Sequence, residues 1–284
     1  MNKTVLITGA TSGIGLATAR IFAAHQYDLI LTGRREDRLA AIKAELLQHP
    51  NISVTTLCFD IRNKEACQLA LLPFLPPVAE LQQEDEGKMA EALGDKAEKS
   101  NLGKGIDILV NNAGLARGFD YVHEADIEHW EEMIDTNIKG LLYVTQFVTP
   151  HMIERKSGHI INLCSTAGKE VYPKGSVYCA TKFAVDALTK AMRLEFYTHG
   201  LRVSQVSPAH VEETEFARVR FDWDLERASI YKDFNPLTSR DVAEAIYFIA
   251  SRPPHVNVQD IVLMGTQQAG NMMIDRTGRK YDVQ

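Results

Sequence analysis

The chain has 284 residues, four cysteines and a formal net charge of −6 at pH 7. This length allows one large domain or two small ones with a well-buried core, and the acidic balance argues against general nucleic-acid binding. No apolar run reaches the roughly 18 residues that a membrane span needs. The cysteines lack metal-type spacing, and the first apolar strand follows Met1 too closely to leave room for a signal peptide. We therefore expect a cytoplasmic protein with reduced thiols and no metal site.

A glycine-rich turn follows the first predicted strand, residues 4–8, and leads into a helix that begins near Leu16. A strand, a glycine turn and a helix in this order aim backbone N–H groups at a phosphate. Gly9 permits the turn, Gly13 lets a ligand approach the backbone, and Gly15 lets the helix pack closely on the strand. Because the spacing Gly-x-x-x-Gly-x-Gly departs from the usual Gly-x-Gly-x-x-Gly, a turn that binds nothing is the alternative. The candidate cofactor-binding residues are Gly9, Ala10, Thr11, Ser12, Gly13, Ile14 and Gly15.

Two arginines follow the second predicted strand, residues 28–32. A site for NAD usually has an acidic residue here for the ribose 2′-hydroxyl, whereas an arginine accommodates the 2′-phosphate of NADP. Arg34 and Arg35 therefore favour NADP(H) as the cofactor. The alternative is a basic start of the next helix, in which the neighbouring Glu36 and Asp37 pair with these arginines.

The stretch between the second and fourth strands contains one candidate site and one segment without chemistry. The third predicted strand, residues 54–59, ends at Asp60 and Ile61, which could hold the edge of an adenine. Asn63 can then start the next helix. Residues 73–105 contain prolines followed by a charge-rich stretch. We interpret them as an insertion, made of a loop and a solvated helix, between core elements.

Asparagines mark two further candidate positions. The fourth predicted strand, residues 106–110, ends in an Asn-Asn-Ala-Gly sequence that suits backbone contact with a flat ligand, although an ordinary turn is the alternative. Asn137 shares the apolar face of a long predicted helix, residues 127–155. A buried amide needs partners, so Asn137 either caps neighbouring backbone or holds a water in a proton path. The cofactor candidates in the Asn-Asn-Ala-Gly sequence are Asn112, Ala113 and Gly114.

A serine, a tyrosine and a lysine form the candidate catalytic group. Ser165 lies at the carboxyl end of the predicted strand 159–164. Tyr178 and Lys182 are one helical turn apart on one face, and the helical spacing of apolar residues continues over 183–199. An ammonium near a phenol lowers the pKa of the phenol and makes it a usable general acid or base. A serine hydroxyl beside it can hold a carbonyl oxygen. The alternative is a surface tyrosine and lysine on an amphipathic helix.

A lid over the cleft is predicted at residues 211–235, an aromatic and charged stretch that follows the sixth strand. Arg220 in this stretch could hold the acid group of a substrate, since a guanidinium binds a carboxylate or sulfonate with two parallel hydrogen bonds. The alternative is a surface arginine paired with Glu212, Glu213 or Glu215. If Glu212 and Glu213 pointed into the cleft, they would repel an acidic substrate.

Strands and helices alternate along the whole chain, which closes with a predicted helix at 240–251 and a strand at 258–264. This alternation is typical of a parallel, doubly wound sheet with helices on both faces. We therefore predict an α/β protein with a Rossmann-type doubly wound parallel sheet, a three-layer αβα arrangement and a single domain over residues 1–284.

Taken together, these motifs resemble the short-chain dehydrogenase/reductase family over nearly the whole chain. Within it, the chain is most similar to the bacterial NADP-dependent 3-hydroxy acid dehydrogenases, also described as malonic semialdehyde reductases and serine dehydrogenases. Five motifs in the family order are far more specific than any one of them. They are Thr8-Gly9-x-x-x-Gly13-x-Gly15, Asn111-Asn112-Ala113-Gly114, Asn137, Ser165 and Tyr178-x-x-x-Lys182.

The resemblance implies a role for each site residue. Tyr178 would be the general acid and base, Ser165 would orient the substrate carbonyl, and Lys182 would bind the nicotinamide ribose and lower the tyrosine pKa. Asn137 would anchor a water relay to Lys182, and the enzyme would be a homotetramer. The family also implies contacts between NADP and the segment after the sixth strand. The cofactor candidates there are Pro208, Ala209, Val211 and Thr214.

The resemblance leaves more than one activity open. The leading hypothesis is an NADP-dependent oxidoreductase that interconverts a small hydroxy acid, such as 3-hydroxypropionate or serine, with its semialdehyde or keto form. A sulfoacetaldehyde-type or broader carbonyl reductase is the alternative, because Arg220 could bind a carboxylate and a sulfonate in much the same way. A 3-oxoacyl carrier-protein reductase fits less well. A non-catalytic dinucleotide sensor on the same fold would have a broken Ser-Tyr-Lys set, whereas here the set is intact.

Overall fold

A computed structural model describes residues 2–75, 105–227 and 233–278. Most of the predicted insertion at 73–105, part of the predicted lid at 211–235 and the last six residues lie outside these ranges. Within them, seven strands form one parallel sheet in the order β3-β2-β1-β4-β5-β6-β7. The strands are β1 (Thr4–Ile7), β2 (Asp28–Gly33), β3 (Val54–Cys58), β4 (Ile108–Asn111), β5 (Gly158–Leu163), β6 (Leu201–Pro208) and β7 (Asp260–Leu263).

The helices of the described residues cover both faces of the sheet. The longest α-helix, α6, carries the tyrosine and the lysine of the candidate catalytic group. The helices are α1 (Gly13–Ala24), α2 (Glu36–Leu46), α3 (Lys64–Leu71), α4 (Ile127–Ile134), α5 (Leu141–Glu154), α6 (Ser176–Phe196), α7 (Phe216–Arg220) and α8 (Ser239–Ala250).

The alternation of side chains along the central strands creates two apolar layers. In β1, Val5 and Ile7 face a cluster formed with α1, α2 and α8, whereas Leu6 faces a second cluster formed with α3, α5 and α6. All three side chains are fully buried. A strand that is apolar on both faces is stable only between two helical layers. The predicted three-layer αβα fold with a Rossmann-type doubly wound sheet is therefore confirmed.

The strand order places the functional cleft. After β1 the chain runs outward through β2 and β3 and then returns to form β4 on the other side of β1. Ligands of such sheets bind at this reversal, outside the carboxyl ends of the strands. Here the carboxyl ends of β1, β2 and β4 carry the glycine turn, the arginines and the Asn-Asn-Ala-Gly sequence.

Helix boundaries follow capping in some places and differ from the predictions in others. Asn63 accepts a hydrogen bond from Ala66 N at the start of α3, as the sequence predicted. The helix with Tyr178 and Lys182 begins at Ser176. The sequence placed both residues on one helical face but marked no start for the helix ahead of its apolar spacing from residue 183. The helix starts after Gly175, which has no side chain to cap it and so gave no signal in the sequence.

Two further properties concern the whole of the described chain. Its four cysteines are all free thiols. None of the helices among the described residues has the length and apolar character that crossing a bilayer requires.

Candidate active site

A cavity of about 860 Å³ lies along the carboxyl ends of the strands. It is lined by the glycine turn at one end and by the serine, tyrosine and lysine at the other. Ala10, Gly15 and Asn137 are buried and are absent from its wall. The predicted site residues that line the cavity are Gly9, Thr11, Ser12, Gly13, Ile14, Arg34, Arg35, Asp60, Ile61, Asn112, Ala113, Gly114, Ser165, Tyr178, Lys182, Pro208, Ala209, Val211, Thr214 and Arg220.

The glycine turn has the geometry that close approach of a ligand requires. Gly9 and Gly13 have φ angles of 66° and 53°, in the left-handed region that glycine enters without strain. A Cβ atom on Gly15 would lie 2.4 Å from Gly9 O and 2.5 Å from Asn112 Nδ2, so only glycine fits there. The Asn112 amide donates to Thr8 O and Gly9 O and ties this turn to β4. The open backbone of the turn fits the pyrophosphate of a dinucleotide.

The arginine end of the cavity contains an ion pair that the sequence did not reveal. Arg35 contacts Glu215 at 2.8 Å and also donates to Thr11 Oγ1 at 2.8 Å, so its partner is not the neighbouring Glu36 or Asp37 that the alternative required. Arg34 is half-exposed and lies 3.9 Å from an Asp60 oxygen. Two guanidinium groups, Arg34 and Arg35, thus lie where the sequence predicts a 2′-phosphate.

The Glu215 carboxylate is ionised at any physiological pH. Burial by itself would raise its pKa, but hydrogen bonds from Arg35, Arg38 and Ser12 outweigh burial and lower the pKa to about 2. Arg38 and Glu215 are 2.7 Å apart. This part of the cleft therefore holds a fixed negative charge among positive and hydroxyl groups.

The adenine end of the predicted site is also built around an ion pair. The Asp60 carboxylate accepts three hydrogen bonds from the Arg62 guanidinium and one from Arg62 N, at 2.6–3.0 Å. Burial raises the Asp60 pKa, yet these bonds outweigh it and the pKa is lowered. Asp60 is therefore an ionised acceptor beside Ile61 on the cavity wall.

The catalytic candidates meet at the other end of the cavity. Ser165 begins a short 3-10 turn after β5, where its Oγ accepts from Ala167 N at 3.1 Å and donates to Pro208 O at 3.3 Å. Tyr178 is 8% exposed, and its ring packs edge-on against Phe216 with centroids 5.4 Å apart. Lys182 is 6% exposed, so neither the tyrosine nor the lysine is the surface residue of the alternative interpretation.

The pKa of Tyr178 differs from the expectation. The sequence predicted that Lys182 lowers it, but burial raises it, Tyr172 adds to the effect, and Ser165 and Arg220 offset it only in part. The Lys182 Nζ donates to Leu163 O at 2.9 Å and lies 6.0 Å from the Tyr178 ring centroid. Burial also lowers the pKa of Lys182. The phenol of Tyr178 therefore keeps its proton at neutral pH, which is the form a general acid needs.

Asn137 lies in a π-helical turn, Asp135–Gly140, that interrupts the predicted helix between α4 and α5. Its side chain accepts from Leu115 N at 2.9 Å and donates to Leu115 O at 2.8 Å and to Thr181 Oγ1 at 3.0 Å. Of the two predicted roles, capping of neighbouring backbone is the one the side chain performs here. A Cβ atom on Gly114 would lie 3.1 Å from Asn137 Oδ1 and 3.5 Å from Lys182 Nζ, so all three groups meet. π-helical turns often occur at functional sites.

Arg220 is a buried wall residue of the cavity. It is 7% exposed, its Nε donates to Gly118 O at 3.2 Å, and its Nη1 donates to Tyr172 OH at 3.0 Å. The guanidinium carbon lies 5.6 Å from the Tyr178 ring centroid. The alternative of a surface arginine paired with a glutamate is wrong, because Arg220 is buried and Glu215 pairs with Arg35 and Arg38.

The two glutamates that could have repelled an acidic substrate do not face the cleft. Glu213 is exposed and Glu212 is half-buried, and neither contributes to the cavity wall among the described residues. Burial, and then the charge of Glu213, raise the pKa of Glu212. Near Tyr178 the cavity therefore offers a buried cation without these opposing carboxylates.

Several residues of the site were missed by the sequence reasoning. Tyr172 belongs to none of the motifs, although it lies between Ser165 and Tyr178 in the sequence. Its ring packs on the bare backbone of Gly175, where a Cβ atom would lie 2.2 Å from the ring. His210 also lines the cavity, and its Nδ1 lies 2.6 Å from Gln268 Nε2. The signal that could have found these residues is their position at a strand end or next to a motif residue.

Comparisons with known proteins agree with this geometry. A family model described as short chain dehydrogenase matches residues 3–72 and 79–225. The NADP-dependent 3-hydroxy acid dehydrogenase YdfG of Salmonella typhi is 40% identical over 266 residues, which cover 93% of this chain and 96% of that protein. Sulfoacetaldehyde reductase 2 of Chromohalobacter salexigens is 41% identical over 271 residues, which cover 95% and 96%.

A solved structure supports the same relationship. The closed form of serine dehydrogenase complexed with NADP⁺ superposes with a TM-score of 0.80 at 39% identity, covering 94% of this chain and 96% of that one. The resemblance inferred from the five motifs is thereby confirmed. Because the family model matches more than half of the chain and these relatives align over nearly their full length, the protein belongs to the short-chain dehydrogenase/reductase family.

Proposed function

We propose that this protein is an NADP-dependent oxidoreductase that interconverts a small hydroxy acid with its semialdehyde or keto form. Enzymes of this family act on CH–OH groups, and the relatives described above include an NADP-dependent 3-hydroxy acid dehydrogenase and a serine dehydrogenase bound to NADP⁺. The observation that carries the choice of an acidic substrate is the buried Arg220 guanidinium, 5.6 Å from the Tyr178 ring on the same cavity wall.

The residues of the cavity fit NADP(H). The glycine turn would take the pyrophosphate, and Arg34 and Arg35 the 2′-phosphate. The Asp60–Ile61 pair would flank the adenine, and Lys182 would bind the nicotinamide ribose. Three observations support these assignments. Gly9 and Gly13 have positive φ angles, Gly15 lies where a Cβ atom would clash, and the guanidinium groups of Arg34 and Arg35 lie at the end of β2. The contacts proposed along the nicotinamide half are Asn112, Ala113, Gly114, Pro208, Ala209, Val211 and Thr214.

The side chains around Tyr178 would move the proton of the reaction. When bound, NADP(H) supplies or accepts the hydride. Tyr178 would donate its phenolic proton to the carbonyl oxygen during reduction and take the alcohol proton during oxidation, while Ser165 holds that oxygen in position. Lys182 and Asn137 meet beside Gly114. We assign to Lys182 the return of a proton to Tyr178, through a water relay that Asn137 would anchor.

Arg220 would hold the acid group of the substrate. Gly118 O and the Tyr172 hydroxyl use two of the five N–H donors of the guanidinium. A substrate carboxylate bound to this guanidinium would accept charge-assisted hydrogen bonds in a buried setting, where such bonds are strong. The Tyr172 contact fixes the plane of the guanidinium, so the substrate would be oriented as well as attracted.

The test is the effect of Arg220→Gln on two substrates of similar size, 3-oxopropanoate and propanal, with NADPH. We expect kcat/KM for the acid to fall by about one to two powers of ten, and kcat/KM for propanal to fall less than about threefold. Arg218→Gln is the matched control, since Arg218 is an exposed arginine on the same helix. Thermal unfolding of each variant checks that the fold is kept. An equal loss on both substrates would show that Arg220 only holds α7 in place.

A sulfonate substrate is the second candidate, because a sulfoacetaldehyde reductase shares 41% of the aligned residues. A sulfonate and a carboxylate make the same demand on Arg220, so the chemistry of Tyr178 is unchanged. Replacing 3-oxopropanoate by sulfoacetaldehyde in the assay above separates the two.

We also propose a homotetramer in the cytoplasm. Exposed apolar side chains on α5 and α6 support an oligomer. Leu142, Phe183 and Leu194 are 36%, 40% and 76% exposed, although each belongs to a helix of the central fold. Burial of such side chains against another subunit is favourable. The predicted lid at residues 211–235, of which 211–227 and 233–235 are described, stays a proposal.

A further inference from the structure

The Glu215 carboxylate is bound by groups from two separate parts of the chain, the glycine turn and the start of α2. Arg35 Nη1 donates to Oε1 at 3.0 Å and Arg35 Nη2 lies 2.8 Å from Oε2. Arg38 Nη1 donates to Oε1 at 2.7 Å, and Ser12 Oγ donates to Oε2 at 3.0 Å. The Glu215 side chain is only 20% exposed. Two guanidiniums and a hydroxyl therefore hold both oxygens of one anion in a partly enclosed pocket.

This set of donors also suits a phosphate monoester. Guanidinium groups bind phosphate and carboxylate in the same two-bond geometry, and a hydroxyl at a glycine turn adds a further donor. The glycine turn also contacts Arg35, because Arg35 Nη2 lies 2.8 Å from Thr11 Oγ1 and 3.3 Å from Ser12 Oγ. These groups stand at the carboxyl end of β2, where the 2′-phosphate of NADP(H) binds under the proposed function. A carboxylate of the protein and that phosphate would compete for the same donors.

Glu215 is also connected to the opposite end of the cleft. It directly precedes α7, whose first residue, Phe216, packs on the Tyr178 ring at 5.4 Å. The last residue of α7 is Arg220, which contacts Tyr172. A displacement of Glu215 from the arginines would therefore be transmitted through five helical residues to the catalytic tyrosine and the proposed acid-binding arginine.

We propose that Glu215 is an internal ligand of the 2′-phosphate site, which NADP(H) must displace in order to bind. The inference rests on the proposed function for the identity of the cofactor. Displacement has two consequences. The apparent affinity for any ligand with a 2′-phosphate is reduced by the fraction of molecules in which Glu215 occupies the arginines. Release of Glu215 also frees the start of α7, which couples cofactor binding to the position of Phe216 and Arg220.

Binding of adenosine 2′,5′-bisphosphate and of ADP tests the competition, since only the first carries a 2′-phosphate. Calorimetric titration at fixed ionic strength compares the wild-type protein, Glu215→Gln and the control Glu213→Gln, which removes the same charge from an exposed position two residues earlier. We expect Glu215→Gln to bind the bisphosphate about tenfold more tightly and ADP with less than about threefold change. Glu213→Gln should change both by less than about threefold.

Hydrogen–deuterium exchange of peptides within residues 211–227 tests the displacement. In the wild-type protein exchange should increase when adenosine 2′,5′-bisphosphate is added, and it should not increase with ADP. In Glu215→Gln exchange should already be high before the ligand is added. Weaker or unchanged bisphosphate binding by Glu215→Gln would overturn the inference, as would exchange that does not respond to the bisphosphate. Equal binding of both nucleotides by the wild-type protein would overturn the 2′-phosphate assignment itself.

Discussion

Replacing Tyr178 by phenylalanine should abolish most turnover while leaving the fold and the cofactor site intact. The change removes one oxygen from a ring that is 8% exposed and stays packed against Phe216. Ser165 keeps its bonds to Ala167 N and Pro208 O, so the lost hydroxyl leaves no buried polar group without a partner. We therefore expect the free energy of unfolding to change by less than about 1 kcal/mol. Loss of the proton donor should lower kcat about 10²–10⁴-fold.

The assay for this prediction compares steady-state reduction with NADPH fluorescence titration. NADPH should bind Tyr178→Phe and the wild-type protein with nearly equal affinity, because the phenolic oxygen is needed only for proton transfer. Tyr197→Phe is the control, since Tyr197 is 70% exposed just after α6 and should keep full activity. Near-normal turnover of Tyr178→Phe would show that another group carries the proton. A large loss of NADPH binding would show that the ring oxygen is part of the cofactor site.

Three further predictions follow from the ion pairs and the exposed helices. Arg34→Ala/Arg35→Ala should lower the ratio of kcat/KM for NADPH to that for NADH by about one to two powers of ten, and an unchanged ratio would show that these arginines do not bind the 2′-phosphate. Sedimentation should find a tetramer at micromolar concentration, and a monomer would contradict the proposal. Burial raises the pKa of Asp186, but hydrogen bonds from Lys169, Lys190 and Gln205 outweigh it and hold the pKa at about 2, below the usual 3.8. A lowered pKa stabilises the fold above about pH 4, and this stabilisation is lost as the pH falls toward 2. The free energy of unfolding of Asp186→Asn should therefore be about 1–2 kcal/mol lower than that of the wild-type protein at pH 7, and the difference should shrink between pH 4 and pH 2. Urea unfolding checks this, and a pH-independent deficit would refute it.

The parts of the fold that were predictable from the sequence are those set by local patterns. Short continuous apolar runs located the strands, and the order of strands and helices predicted the parallel sheet. The Asn63 cap marked the start of α3. The glycine turn and the Ser-Tyr-Lys set were found because the chemistry requires fixed residue types at strand ends and one helical turn apart.

The remaining features depend on contacts between distant residues or on burial. Arg35 and Glu215 are 180 residues apart, and no local pattern relates them. The π-helical turn at Asn137 has no sequence signal of its own. The raised pKa of Tyr178 comes from desolvation, which depends on the packed surroundings and not on the nearby lysine that the sequence emphasised. The sequence left open whether Arg220 binds the acid group of a substrate or lies on the surface, because the aromatic rings that bury it, Phe119 and Tyr172, come from distant parts of the chain.

The most direct test of the central claim is the initial rate of NADPH oxidation by the purified wild-type protein with 3-oxopropanoate and with propanal. If the protein is an NADP-dependent oxidoreductase for small acidic carbonyl compounds, 3-oxopropanoate should be reduced with a kcat/KM at least about tenfold higher than that of propanal, as expected for a charge-assisted contact with Arg220. Equal values for the two aldehydes, or no oxidation of NADPH with short semialdehydes and sulfoacetaldehyde, would contradict the claim.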